Sequence, residues 1–371
     1  MKKHNTPKKT APARARSNIT RWATVGIDLG DRSSHYCILD KDGDKLREST
    51  VAMTVNNLDR IFGPMPRCRV VMEAGTHSPW VSRYFKKLGF DVIVANPRRT
   101  RLISTNSNKH DRMDAEELAR LGRIDPRMLF PIQHRGEQAQ ADLTMIRSRA
   151  GLVEARTALV NSARGLSKSF GERLPSCDAK QVNADLAQDL PPALRAAIEP
   201  LLKQAGLLSE GIHDYDERIK QMARDRYPEV ELLTAIHGVG TLIALTFILT
   251  IDDAGRFRSS RDVGAYLGMR PRRRQSGGRD PELGISKEGN VYLRQLLVQA
   301  AHVILNPRGA DSDLRRWGLK LAARGGRSAK KKACVAVARK LAALMHHLWV
   351  NGEVYDPFYY SKRQAAQKAA A

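Results

Sequence analysis

Acidic residues are scarce relative to basic ones in this chain. Its 371 residues include 39 Asp+Glu against 63 Lys+Arg, a formal net charge of +24. Such an imbalance argues against an ordinary small-molecule enzyme and for a polyanionic partner, either nucleic acid or an anionic membrane face. Aromatics are only 6%, too few for a base-stacking sheet of the single-strand-binding type. There are four cysteines (Cys37, Cys68, Cys177 and Cys334), all far apart and none in a C-x-x-C pair. That excludes a cysteine zinc site and a disulfide framework, and predicts reduced, buried thiols. Long hydrophobic runs are missing as well. The longest, at about 241–251, stops at Asp252–Asp253 and is too short to cross a bilayer. The basic N-terminus lacks the apolar stretch of a secretory signal, and no G-x-x-x-x-G-K-[ST] loop is present. A hydrophobic fraction of 42% excludes wholesale disorder. What is left is a soluble, cytoplasmic nucleic-acid protein with no membrane partner.

The pattern along the chain predicts α/β followed by α. Residues 1–21 carry many Lys/Arg and no acid, and read as a disordered basic arm. Strands are expected at 24–29, 35–40, 45–51, 69–73 and 90–96, with a D-G hairpin turn at 41–44. Helices are expected at 78–88, ending at Gly89, and at 111–121 with Met113, Leu118 and Leu121 inward. Residues 22–135 therefore form a mixed α/β domain. Residues 136–226 hold no convincing strand. Apolar spacing through 139–170 and 194–224 predicts two long helices, a coiled-coil-like spacer. Residues 227–350 form a second, mostly helical domain, and 351–371 a frayed tail.

Four acids in the first domain carry the chemistry. Asp28 ends an apolar strand in V-G-I-D-L-G, and Glu73 ends another in V-V-M-E-A-G. Asp111 and Asp114 lie at i and i+3 of one helix in D-R-M-D-A-E-E-L-A, so they face the same way. Ligands of α/β folds bind beyond strand ends. Four clustered carboxylates repel unless a cation joins them, and hard oxygen donors suit Mg²⁺ or Mn²⁺. Paired ions of this kind stabilise attacking and leaving oxygens in phosphoryl transfer. Taken singly, each acid reads more readily as a turn former, a surface acid or a helix cap. Jointly, acids from a first strand, a later strand and a final helix fit a ribonuclease-H-like nuclease core.

A second constellation lies in the C-terminal domain. Two apolar stretches meet at Gly238-Val239-Gly240 and read as a helix-hairpin-helix-like element, with helix N–H groups free for a phosphate. The alternative is a plain helical packing turn. Then comes M-R-P-R-R-R-Q-S-G-G-R, in which Arg272, Arg273, Arg274 and Arg279 would attract backbone phosphates around Ser276. From the residues alone, Ser276 reads as a phosphate hydrogen-bond donor; an activated nucleophile is the sharper alternative. Lys287, just after Ser286, and Arg294 are further candidate phosphate contacts. A basic run over 324–340 extends the same surface.

These motifs, in this order over residues 24–305, resemble the DEDD transposases of insertion-sequence family 110, including its 1111 subgroup; pilin-gene invertases are similar. The turn here is H-G-V-G rather than P-G-I-G, and the basic arm is long. The resemblance implies a RuvC-like N-terminal domain, a coiled-coil spacer and a C-terminal transposase domain. It implies metal ligation by Asp28, Glu73, Asp111 and Asp114. It also implies a nucleophilic serine, Ser276, with Ser286 in reserve. It further implies recombination of element-end and target DNA, guidance by a structured non-coding RNA from the same element, a homodimer or homotetramer, and a bacterial, nucleoid-associated location. A Holliday-junction resolvase-type endonuclease and a non-catalytic nucleic-acid-binding protein are the alternative readings.

Overall fold

The structure, a computed structural model, describes residues 20–100, 111–273, 278 and 283–369, with backbone alone at 100, 111 and 112. The chain divides into two compact units, Met1–His134 and Arg135–Ala371.

The first unit is built on one five-stranded sheet. Its elements in chain order are β1 (Thr24–Asp28), β2 (Ser33–Leu39), β3 (Lys45–Ala52), α1 (Val55–Phe62), β4 (Arg69–Glu73), α2 (Ser78–Lys87), β5 (Asp91–Ala95), α3 (Pro97–Thr100) and α4 (Asp111–Ile124). The strand order is β3-β2-β1-β4-β5. The first three strands pair antiparallel, whereas β1–β4 and β4–β5 are parallel. The β2–β3 turn forms where expected. The Asp40 carboxylate accepts the N–H groups of Asp42, Gly43 and Asp44, which holds its carboxyl below the usual carboxylate range.

Side-chain alternation splits the sheet into two buried faces. Val25, Ile27, Val70 and Met72 point to one face and pack with Leu58 and Phe62 of α1 and Val81 and Phe85 of α2. Edge-on ring contacts link Tyr36, Phe62, Phe85 and Phe90 there. The other face is covered by α4. Helix α1 is absent from the expected elements although Val55, Leu58, Ile61 and Phe62 are spaced as on one helix face, because at eight residues it offers little more than two turns of that spacing. It starts at Thr54, whose hydroxyl accepts the Asn57 N–H. Met113 is 39% exposed, contrary to expectation. The inward face of α4 runs through Ala115, Leu118, Ala119 and Gly122, with Leu121 packed at its edge as expected; Met113 lies two residues before Ala115 and so on the opposite side of the helix.

The second unit is helical: α5 (Glu137–Ser169), α6 (Pro192–Arg226), α7 (Glu229–Thr234), α8 (Thr241–Ile251), α9 (Asp262–Tyr266), α10 (Val291–Leu305), α11 (Asp313–Ala322), α12 (Ala329–Asn351) and α13 (Tyr359–Ala369). The two long helices form an antiparallel hairpin. Arg149 meets Asp216 at 2.7 Å, and Asp142 accepts from Arg226 at 2.8 Å and from Tyr227 Oη at 2.6 Å. The far end of the hairpin has its own small core of Ala163, Val182, Leu194, Ile198 and Leu202. Its near end joins the main core, in which Phe247, Leu297, Val337 and Leu341 are fully buried. Among the described residues α12 alone is long and apolar enough to cross a membrane, but half of its most apolar window is buried inside the unit. The expected frayed tail contains α13 instead. Asp313 fastens that helix by accepting from the Ser361 hydroxyl and N–H.

Candidate active site

Asp28 and Glu73 end neighbouring parallel strands. The register runs Thr24↔Arg69 to Ile27↔Met72, so the two acids stand next in line, side by side. Alternation puts Asp28 on the same face as Gly26, and Glu73 on the same face as Val71. That face carries α4. A Cβ on Gly26 would lie 2.0 Å from Ala115 O and 2.6 Å from Ala119 N, so only glycine admits the helix backbone. Further along, Gly122 sits against Val71, and Leu118 packs with Val71, Ile93 and Ala95.

The direction of α4 follows from its far end. Arg120 donates to Gly43 O and Arg123 to Lys41 O, both in the β2–β3 turn, while Arg69 at the start of β4 donates to Gly122 O. Helix α4 therefore runs antiparallel to β1 and β4. Its first turn, Asp111–Asp114, lies toward the strand ends that hold Asp28 and Glu73. Asp28, Glu73 and Asp114 are each half-buried. The side chain of Asp111 lies outside the described residues.

Not every acid of the motif is available to the site. Glu116 is bound by Lys45 at 2.6 Å and by Arg120 at 2.7 Å. The Lys45 ammonium, and then the Arg120 guanidinium, hold its carboxyl below the usual range.

The four-acid set is chemically suited to a hard cation. It offers oxygen only, with no thiolate or imidazole among the proposed ligands. Mg²⁺ uses one or two protein carboxylates and keeps several waters. The neighbouring acids on two adjacent strand ends, Asp28 and Glu73, supply that number of carboxylates. Among the described residues no three His, Cys, Asp or Glu side chains are grouped so as to hold a metal ion, so Asp28, Glu73 and Asp114 are not drawn together into one such set.

Residues that the sequence did not single out surround these strand ends. After β1 comes Asp31, and after β4 come His77 and Ser78. His77 Nε2 lies 3.2 Å from Asp31 Oδ1, and Trp80 Nε1 donates to His77 Nδ1 at 3.1 Å. Indole N–H can only donate, so Nδ1 accepts and Nε2–H faces Asp31. This ties the two loops that follow the acid-bearing strands. Ser78 Oγ accepts the Gly75 N–H and sits 2.9 Å from His134 Nε2. The T-H-S-P-W string was the available signal: a Ser-Pro helix start directly after a strand-ending acid.

In the second unit, Gly238 turns the chain with φ 87° and Gly240 precedes the first turn of α8. Gly240 is exposed, and Val239 anchors the turn in the core. Arg272, Arg273 and Lys287 are exposed. Ser276, Arg274 and Arg279 lie outside the described residues. Ser286 is half-buried, and its N–H donates to Arg270 O at 2.9 Å. Arg294 departs from expectation. It is 9% exposed, and its Nη1 donates to Leu267 O at 2.9 Å and Glu288 O at 2.8 Å. Its place on the inward face of α10 makes it a core residue rather than a surface phosphate contact. Periodicity could not reveal this, because a charged residue on an apolar face reads as its edge.

Comparison with known proteins shows the family of the chain. A family model described as "Transposase" (DEDD, IS110 type) matches residues 25–170, and the model for the "Transposase IS116/IS110/IS902 family" matches residues 230–313. The chain is 32% identical to the transposase for insertion sequence element IS1111A of Coxiella burnetii, over 89% of this chain and 90% of that one. It is 30% identical to the transposase for insertion sequence element IS1328 of Yersinia enterocolitica, over 90% of this chain and 98% of that one. A probable family 20 transposase of Pseudomonas aeruginosa is 30% identical over 80% of this chain and 88% of its own length. The first match spans the strand ends and α4, the second spans the Gly238 turn and both serines, and the chain belongs to the IS110-type family of transposases.

Proposed function

We propose that the protein is a site-specific DNA recombinase that moves its own insertion sequence, with a RuvC-like acid site in the first unit and a nucleophilic serine in the second. The sheet order β3-β2-β1-β4-β5, antiparallel then parallel, supports the RuvC-like reading. The observation that carries the proposal is the side-by-side placement of Asp28 and Glu73 on the α4 face, with the Asp111–Asp114 turn directed toward them.

Asp28, Glu73, Asp111 and Asp114 would hold Mg²⁺ or Mn²⁺, which supplies charge neutralisation at a phosphate. Ser276 is the proposed nucleophile. Its Oγ loses a proton and bonds to phosphorus; the P–O3′ bond breaks and the 3′ oxygen takes up a proton. The resulting 5′-phosphoserine link preserves the phosphodiester energy, so rejoining is the reverse attack and needs no ATP. The exposed Arg272, Arg273 and Lys287, with Arg274 and Arg279 by sequence, hold backbone phosphates. The excess charge suits a structured guide RNA as well as DNA, and two or four copies of the chain would bring two DNA duplexes together. The site of action is the bacterial cytoplasm, at the nucleoid.

The test is a recombination assay with element-end and target DNA, Mg²⁺ and the flanking transcript. We expect wild type to give recombinant product and a protein–DNA adduct, Ser276→Ala to give neither, and Asp28→Ala to lose cleavage. Full product from Ser276→Ala removes the nucleophile assignment. Nicked duplexes without any adduct would favour a Holliday-junction resolvase, and binding without cleavage a non-catalytic protein. Omitting the transcript should abolish target choice; unchanged product without it removes the RNA role.

A further inference from the structure

The helical unit contains a cleft that the proposed reaction does not use. Helices α11 and α12 are joined through Gly325 (φ 82°) and Gly326 (φ 90°), left-handed conformations suited to glycine. The two helices approach closely at Gly318, where an added Cβ would stand 2.5 Å from Val337 Cγ2. Toward the glycine turn a cleft of about 700 Å³ lies between them, a size ordinary for a ligand site. Trp317 and Leu321 of α11 line one side, and Ala329, Ala333 and Ala336 of α12 line the other. These alanines, at i, i+4 and i+7, share one helix face and leave the space unfilled.

The rim is cationic. Arg324, Lys332 and Arg339 line the cleft and are exposed, and among the described residues no acid lines it. Residues 314–352 contain ten Lys/Arg and no Asp or Glu. The acids just before them are engaged elsewhere, Asp311 by Arg316 and Asp313 by Ser361. Arg339 is held by its stem, which passes so close to Gly264 that a Cβ there would lie 2.6 Å from Arg339 Cγ. Trp317 is steadied by Lys340, whose Nζ stands 4.6 Å from the ring centroid. Apolar walls beneath a rim of cations suit an unpaired nucleotide, with the base against the walls and the phosphates on the cations. A duplex keeps its bases stacked and cannot fill such a cleft. Ser328 adds a preference for ribose. It occupies the cap position before α12 and lines the cleft, yet its hydroxyl bonds no helix N–H, as a serine cap ordinarily does. That hydroxyl is available to a 2′-hydroxyl, the group by which proteins tell RNA from DNA.

We infer that the cleft between α11 and α12 seats one unpaired nucleotide of a single-stranded RNA. The base enters between Trp317, Leu321 and the alanines, the flanking phosphates meet Arg324, Lys332 and Arg339, and Ser328 meets the ribose. The inference deepens the RNA reading above and uses neither the acids nor the serines of the proposed reaction.

The experiment uses the full chain with three fluorescein-labelled probes of equal length: oligouridylate, oligothymidylate DNA and duplex RNA. Affinity is read by anisotropy over a salt series. An oligouridylate carrying thiouridine is crosslinked in parallel, and the modified peptide is identified by mass spectrometry. The crosslink should fall within residues 317–324 or 329–339. Ala329→Leu with Ala336→Leu fills the cleft and leaves every charge in place. It should lower oligouridylate affinity about tenfold, keep the salt slope and abolish that crosslink. Arg324→Ala with Lys332→Ala should lower affinity and reduce the salt slope by about 1.4, the value for two phosphates. Ser328→Ala should weaken RNA about threefold and leave DNA unchanged. Crosslinks that fall only elsewhere overturn the inference, and so does a filled cleft that binds oligouridylate like wild type. Duplex RNA weakened as much as oligouridylate by the filled cleft makes this a general charged face and overturns it. DNA bound as tightly as RNA, with no effect of Ser328→Ala on either, overturns the assignment to RNA. If the filled variant does not fold, the wild-type crosslink and the Arg324/Lys332 variant decide on the same terms. Recombination that proceeds without the transcript is the failure of the guide-RNA reading itself, seen in a separate assay and distinct from every binding outcome at the cleft.

Discussion

The contact between Gly26 and α4 permits a sharp prediction. Gly26→Ala adds one methyl group where 2.0 Å separates the added carbon from Ala115 O and 2.6 Å separates it from Ala119 N. Both neighbours are helix backbone, and neither can swing away as a side chain could. Relief to ordinary contact, at about 3.4 Å, requires α4 to lift by about 1.4 Å, because overpacked cores respond by backbone shift. Such a substitution costs about 1–3 kcal/mol. The functional cost is larger in proportion. Asp111 and Asp114 ride on α4 while Asp28 and Glu73 stay on the sheet, so the lift separates the two halves of the acid set. A displacement of that size corresponds to roughly a 10²-fold loss of rate. The assay is Mg²⁺-dependent cleavage of element-end DNA at saturating DNA, with affinity and thermal unfolding measured in parallel. Affinity should stay near wild type. Gly151→Ala is the control, since its added Cβ meets nothing within 4 Å on exposed α5; it should leave cleavage unchanged and raise stability by about 0.5–1 kcal/mol. A Gly26→Ala protein that melts and cleaves like wild type would refute the close approach. One that melts earlier but cleaves normally would refute the link between α4 and the reaction.

Three further outcomes follow from other parts of the structure. Asp142 is buried and accepts from Arg226, Tyr227 and Gln138. Asp142→Ala should cost about 2–3 kcal/mol, less than a fully buried pair because Arg226 can rehydrate, and calorimetry should show an earlier transition of the helical unit. The carboxyl of Glu116 is held below its usual range by Lys45 and Arg120, so its stabilisation is present at neutral pH and is lost as pH falls through that lowered value. Glu116→Gln should therefore cost up to about 1 kcal/mol in urea titrations at pH 7, and progressively less as the pH is lowered through the acid range; a cost independent of pH would remove the ion pair as its cause. Burial pushes the Cys37 and Cys68 thiols up to about 11, whereas Cys177 is partly exposed. Iodoacetamide at pH 8 should label Cys177 first by peptide mass spectrometry, and early labelling of Cys37 would contradict the buried sheet face.

Much of this architecture is legible in the chain because alternation and helical spacing report burial. The strands around Gly26, Val71 and Ile93 are continuous apolar runs, as strands buried on both faces must be. The two long helices announce themselves through repeated spacing. What stays hidden depends on contacts across the fold. Helix α1 turns Leu58, Ile61 and Phe62 inward at helical spacing, but over only eight residues. Met113 reads as core until the phase of α4 is known, since the face that meets the sheet runs through Ala115, Leu118, Ala119 and Gly122. Arg294 reads as a surface cation, since its partners are backbone carbonyls that no side-chain pattern encodes. The acids themselves are visible as strand endings. The tie between Asp31, His77 and Trp80 is not, because it joins two loops brought together only by pairing of β1 with β4.

The pairing of β1 with β4 has a genetic consequence. Asp28 faces α4 because it lies an even number of residues from Gly26, and Glu73 for the same reason relative to Val71. Val25, Ile27, Val70 and Met72 occupy the odd positions and fill the opposite core. Loss or gain of a single codon inside either strand would turn its acid away from α4 and drive it among Phe62 and Phe85, while changing composition hardly at all. Loss of two codons would restore the facing and merely shorten the strand. In these short segments the reading is by parity: an in-frame deletion is judged by whether its length is odd or even before the identity of the removed residues matters.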